Sequence, residues 1–128
     1  MLDSIRILVG YDASAQSRKA FYEAITIAKN FSGLIKVISV YEKGMEEKVE
    51  ASVIEVKEAL RREQIAFEVE LIPGSNPAKI LETTAKKENF DLIVIGSRGL
   101  GSTVSLLLGS VSRQVVSNAH CNVLVVKH

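Results

Sequence analysis

The 128-residue sequence has no tryptophan, only two prolines and a single cysteine, Cys121. One thiol can neither close an intramolecular disulfide nor build a cysteine-cluster metal site, and no His/Cys grouping suggests another. No charge sign dominates: 16 basic and 15 acidic residues leave +1 at pH 7, whereas nucleic-acid binders usually carry a basic face or stripe. No apolar run reaches the length of a membrane span, and no charged start leads into an apolar stretch as in a signal peptide. The expectation is a soluble, cytoplasmic protein with neither nucleic acid nor membrane as partner. Aromatic residues are scarce at 5%. The core must come from Val, Ile, Leu and Ala, as in parallel sheets whose strands are covered on both faces.

What is present fits one ordinary globular domain over residues 1–128, at 47% hydrophobic and 24% charged. Ile5–Gly10, Leu34–Val40, Asp91–Gly96 and Asn122–Lys127 are short, β-branched and almost continuously apolar, the pattern of buried strands. Ile65–Ile72 alternates instead, with Phe67, Val69 and Leu71 opposite Glu68 and Glu70, which predicts a strand with one exposed face. Helical spacing lies between the strands. Phe21, Ala24, Ile25, Ala28 and Phe31 form one stripe behind Ser14 as N-cap, and Val49, Val53, Val56 and Leu60 form a second. Asn76 and Pro77 open a third helix over Ile80, Leu81, Thr84 and Ala85, and Val111, Val115, Val116 and Ala119 mark a fourth. The order βαβαβαβαβ implies an α/β fold, a parallel sheet with helices on both faces. Ligands of such sheets sit beyond the carboxyl ends of the strands.

The segment most informative about chemistry lies at such an end. GSRGLGSTVSLLLGSVS, from Gly96 to Ser112, follows a buried strand and enters the last helix. Glycines allow close backbone approach and positive φ, and the unpaired N–H groups of a helix start attract anions. Ser110 and Ser112 add hydroxyls in the first turn. The spacing is neither a Walker A loop, since no Gly-x-x-x-x-Gly-Lys-Ser/Thr occurs, nor a dinucleotide G-x-G-x-x-G after the first strand.

Gly96, Gly99, Gly109 and Ser110 satisfy G-x2-G-x9-G-(S/T), the nucleotide motif of the universal stress protein family in its ATP-binding branch. The sequence closely resembles that family from ILVGYDASAQSRKAFYEAITIA through DLIVIGSRG to NVLVVK. The resemblance implies a five-stranded sheet in the order 3-2-1-4-5, of the adenine nucleotide alpha hydrolase-like type, with ATP across its carboxyl edge. It further implies that Asp12 meets the ribose or a Mg²⁺ or Mn²⁺ ion, and that Val40 lines the adenine site through its backbone. Gly96, Arg98 and Gly99 would run along ribose and phosphates, and Gly109, Ser110, Val111 and Ser112 would hold the phosphates. Ala13 stands where the family commonly has glycine, so the aspartate turn is expected to avoid strongly positive φ.

Other residues are assigned structural parts. Asp91 lies at the far end of its strand, and Cys121 is expected to be a small buried hydrophobe. Val123 to Val126 are apolar on both faces of a strand that the resemblance places at an edge, which leads to the expectation of a homodimer pairing these strands antiparallel. The function expected is an ATP-binding stress-response or signalling module with slow or no hydrolysis. No general base stands out, and no lysine occupies the loop. The competing expectation is a metal-dependent ATPase or nucleotidyl-transferring enzyme using Asp12. A phosphoacceptor receiver domain fits poorly, because Pro73-Gly74-Ser75 stands where its aspartate belongs.

Overall fold

The computed structural model describes residues 4–98 and 108–127. Five strands alternate with helices along the chain: β1 (Arg6–Gly10), α1 (Ala15–Asn30), β2 (Leu34–Tyr41), α2 (Glu46–Ser52), α3 (Ile54–Arg62), β3 (Ala66–Pro73), α4 (Pro77–Lys87), β4 (Leu92–Gly96), α5 (Ser110–Asn118) and β5 (Asn122–Val126). All neighbouring strands pair in parallel, in the order β3-β2-β1-β4-β5. This is the order that the family resemblance implies.

Alternation along the central strands sorts side chains into two layers. Ile7 and Val9 of β1, Ile35 and Val37 of β2 and Val94 of β4 face α1 and α3, where Phe21, Ala24, Val56 and Leu60 close over them. Leu8, Ile38, Ile93 and Ile95 face the other way, onto Leu81 and Ala85 of α4 and Val115 of α5. The apolar stripes read from the sequence are therefore the buried helix faces, except for Phe31, the C-cap of α1, at 50% exposure and Val116 of α5, which are exposed. Burying one Ile or Leu side chain contributes about 1.5–3 kcal/mol, so these layers are the main source of stability.

The two edge strands differ. In β3, Phe67, Val69 and Leu71 are half-buried while Glu68 and Glu70 are exposed. In β5, Val123, Leu124 and Val125 are half-buried and packed on the two layers, and Val116 of α5 stands out beside them at 49% exposure.

The second apolar stripe is one helix by spacing but two in the structure. Val53 separates α2 from α3 and is almost fully buried, at 1% exposure. The Ser52 hydroxyl donates at 2.7 Å to the Val49 carbonyl, which also takes the Val53 N–H at 3.2 Å. Such back-bonding loosens and bends a helix turn, and the adjoining β-branched pair Val53–Ile54 adds strain there.

One buried group has no counterpart in the apolar pattern. Lys36 projects from β2 with only 3% exposure. Its Nζ lies 2.9 Å from Glu70, 3.1 Å from Glu88 and 3.6 Å from Glu68. Desolvation works against its charge, but the hydrogen bonds to Glu70 and Glu88 outweigh it and hold the ammonium pKa above the usual lysine value. The cation pins the end of α4 to the β2–β3 edge.

Candidate functional site

β1 sits where strand order reverses: the chain leaves it through α1 on one face and leaves β4 toward α5 on the other. The crevice between these exits is the usual ligand position of an open parallel sheet. Here it holds a cavity of about 240 Å³, walled by the ends of β1, β2 and β4 and by the starts of α4 and α5. Asp12, Val40, Gly96, Arg98, Gly109, Ser110, Val111 and Ser112 all line it. Gly99 falls outside the described residues.

The apolar end is formed by Ile38, Val40, Leu81 and Ile95, with Pro77 at the rim. Pro77 is fixed there by the helix start read from the sequence: the Asn76 side chain accepts the Lys79 N–H at 3.2 Å. Gly10 keeps this end open, since a Cβ there would lie 2.9 Å from Leu81 Cδ1 and 3.2 Å from Ile95 Cγ2. Gly10, Ile38, Leu81 and Ile95 were missed as site residues. Their position at or behind strand ends was the available signal, but their apolar character reads equally well as core.

Val40 brings backbone polar groups to this end as well as its side chain. The Tyr11 N–H donates to Ile38 O at 3.0 Å, and the Gly74 N–H donates to Tyr41 O at 2.9 Å. Ile38 thus points its amide groups toward β1 and Tyr41 points its own toward β3. By the two-residue period, the Val40 N–H and C=O point toward β1, beyond the last paired residue of that strand.

Asp12 is exposed at the mouth, in a turn that corrects the expectation for Ala13. Ala13 adopts φ +65°, well inside the left-handed region. An L-residue there carries about 1–2 kcal/mol of strain. The turn is held by its neighbours: Asp12 Oδ1 accepts the Ser14 N–H at 2.9 Å, and Ser17 Oγ accepts the Asp12 N–H at 3.3 Å. Ser14 then caps α1 by accepting the Ser17 N–H at 3.1 Å. Three contacts over-determine the turn, so it forms without glycine.

The glycine-spaced segment divides into parts with different physical reasons. Gly96 and Gly109 do not use positive φ; among the described glycines only Gly44 does. Gly96 is required by packing, because a Cβ would sit 2.7 Å from Gln16 Cβ and 2.8 Å from the Gln16 carbonyl carbon. The first turn of α1 lies directly on the end of β4. Gly109 is the N-cap of α5 with extended backbone (φ −75°, ψ 174°) and no capping side chain. Its N–H donates to Ser97 O at 2.7 Å, and its carbonyl accepts from Arg113 at 3.0 Å. The amides of Ser110, Val111 and Ser112 stand at the uncapped helix start, where the helix dipole favours an anion.

The Ser112 side chain departs from the role expected of it. Buried at 3% exposure, its hydroxyl lies 2.8 Å from Ser97 O and 3.1 Å from Gly109 O. Its one proton is committed to backbone carbonyls, so Ser112 can offer a ligand its amide but not its hydroxyl. Ser110 is exposed and keeps that possibility. Arg98 is half-buried at the cavity wall and supplies its cationic group.

Away from the cavity, Asp91 has the structural part expected of it: its Oδ2 accepts the Arg6 N–H at 2.8 Å. Cys121 is half-buried rather than buried, and burial together with Asp91 pushes its thiol pKa up. Among the described residues no three His, Cys, Asp or Glu side chains converge as a metal site, and no helix is long and apolar enough to cross a membrane.

The universal stress protein family model matches residues 5–127. A universal stress protein of Thermus aquaticus is 32% identical over 94% of this chain and 97% of its own length. Among solved structures, a universal stress protein in complex with cAMP superposes with a TM-score of 0.80 at 26% identity, covering 97% of each chain. A universal stress protein family protein from Arabidopsis thaliana with AMP bound has the same fold, with a TM-score of 0.74 at 20% identity over 97% of this chain and 92% of its own. Sequence match and fold agree over almost the full length, and the chain belongs to the universal stress protein family.

Proposed function

We propose that this chain binds ATP in the cavity at the carboxyl edge of its sheet and acts as a nucleotide-dependent stress-response or signalling module in the cytoplasm. The observation that carries this reading is the polarity of the cavity. One end is an apolar slot with the Val40 backbone on its rim, suited to a flat base. The other is the uncapped start of α5 with Arg98 nearby, suited to phosphates. The cAMP and AMP bound to two proteins of similar structure support an adenine nucleotide as the ligand class.

Turnover is expected to be slow or absent. The described lining contains no lysine, no histidine and no carboxylate besides Asp12, and Asp12 already accepts the Ser14 N–H at its Oδ1, which leaves the site poorly equipped to draw a proton from water. A Mg²⁺ or Mn²⁺ ion suits Asp12 as its one carboxylate, with phosphates and water completing the shell. When bound, such an ion neutralises phosphate charge. Isothermal titration with ATP, AMP and cAMP tests the reading: a saturable heat with ATP is expected, and none at millimolar ATP would sink it. The apolar β5 edge and exposed Val116 support a homodimer through β5; a monomeric mass by light scattering at micromolar concentration would remove that part.

A further inference from the structure

The β1–β2 ladder stops one bond short of where its alternation would carry it past Gly10. In a parallel pair, a residue that donates its N–H to one partner accepts at its carbonyl from the residue two further on. The Tyr11 N–H donates to Ile38 O, so the next rung would run from the Val40 N–H to Tyr11 O. Among the described residues that rung is not made. Tyr11 O instead accepts the hydroxyl of Ser39 at 2.6 Å, a short and well-formed bond on a side chain with only 3% exposure. Buried polar groups rarely go without a partner, so the hydroxyl and the carbonyl satisfy each other. The Val40 N–H is left at the cavity wall with its carbonyl beside it.

We propose that Ser39 is a positioning residue for base recognition: a carbonyl can accept twice, but the short bond from the Ser39 hydroxyl draws the Tyr11 carbonyl out of line with the Val40 N–H, which is left for the ring of a bound base. The inference rests on the adenine-nucleotide reading above and adds to it a source of base preference. A donor N–H beside an acceptor C=O matches adenine, whose N1 accepts next to a donating amino group. Hypoxanthine presents the reverse, an N1–H next to an accepting oxygen. A site that offers unpaired backbone groups discriminates strongly against a ligand that cannot pair them.

Ser39→Ala frees Tyr11 O to take the Val40 N–H and complete the rung. Two measurements on the full chain follow, with ATP and ITP as probes. In ligand-free protein, the Val40 amide is expected to exchange readily in the wild type and about tenfold or more slowly in Ser39→Ala. In titrations, Ser39→Ala is expected to weaken ATP about five- to tenfold, the worth of one hydrogen bond, while ITP affinity stays as it was. Ser39→Thr, which keeps the hydroxyl, should retain the wild-type preference. A merely structural role would weaken both nucleotides together, and that result overturns the proposal. So does a Val40 amide as protected in the wild type as in Ser39→Ala. A wild type that binds neither nucleotide refutes the nucleotide reading itself; one that binds ATP with a preference unmoved by Ser39→Ala overturns only the role given to Ser39.

Discussion

Replacing Gly96 by alanine sets a methyl carbon 2.7 Å from Gln16 Cβ, 2.8 Å from its carbonyl carbon and 3.0 Å from its carbonyl oxygen. Ordinary carbon contacts start near 3.5 Å, so α1 or β4 must move by about half an ångström or more. Two of the three clashing atoms are backbone, and no rotamer change relieves them. Overpacking of this kind costs about 1–3 kcal/mol. Against it stands the stiffer unfolded chain of an alanine variant, worth about 0.4–1 kcal/mol where the native backbone is unstrained, as it is at Gly96. The net expectation for Gly96→Ala is a loss of about 1–2 kcal/mol in protein without ligand, read as a lower urea midpoint with unchanged slope. The sign decides the matter. A glycine kept only for a ligand's phosphates would let the variant become more stable, and an unchanged or raised midpoint refutes the packing account. Gln16→Gly in the same background removes the Cβ but neither backbone atom, so it should not restore the lost stability.

The strain at Ala13 points the other way. Ala13→Gly relieves about 1–2 kcal/mol of left-handed strain and gives back about 0.4–1 to unfolded-chain entropy, so thermal melting should show a gain of roughly 0.5–1 kcal/mol; a loss would mean that Ala13 is not left-handed in solution. The Lys36 cluster should respond asymmetrically, because the lysine is buried while side chains of Glu68, Glu70 and Glu88 are 62%, 47% and 42% exposed. Lys36→Met leaves carboxylates that water still solvates and should cost at most about 1 kcal/mol. The double variant Glu70→Gln, Glu88→Gln leaves a buried cation with only Glu68, at 3.6 Å, and should cost about 2–4 kcal/mol in urea unfolding; equal costs would contradict the burial. Because the folded-state pKa of Lys36 is raised, its contribution is fully present below the ordinary lysine pKa. It is lost only as pH climbs through the higher folded value, so the wild type should lose its advantage over Lys36→Met in strongly alkaline melts and not near neutrality.

The sheet was legible because strands covered on both faces leave little choice of residue: IRILVG, LIVIG and NVLVV could hardly be anything else. The helix starts at Ser14 and Asn76 were equally plain, each being a cap whose chemistry is local. Hidden features all depended on a partner distant in sequence. Gly96 carries the mark of a flexible loop residue, and only the arrival of Gln16 from the first helix shows that it is a contact. The Ser112 hydroxyl suggests a ligand donor until Ser97 is seen to receive it. Lys36 sits in LIKVISV as an anomaly whose explanation lies on β3 and at the end of α4. Ala13 failed for another reason: a residue-type rule excluded positive φ, whereas hydrogen bonds from Asp12, Ser14 and Ser17 impose it. The break at Val53 is invisible to a periodicity that keeps its phase across the bend.

The unlike edges of the sheet limit how copies of this chain can assemble. Growth of a ribbon needs two adhesive edges per molecule, one to join the copy before and one the copy after. β5 offers a bare apolar margin, but β3 ends in Pro73, which lacks an N–H, and is flanked by exposed carboxylates tethered to Lys36. Any joining through β5 uses up the adhesive edge of both participants. Edge-to-edge growth through β5 would therefore terminate at a closed pair rather than extend into a fibre.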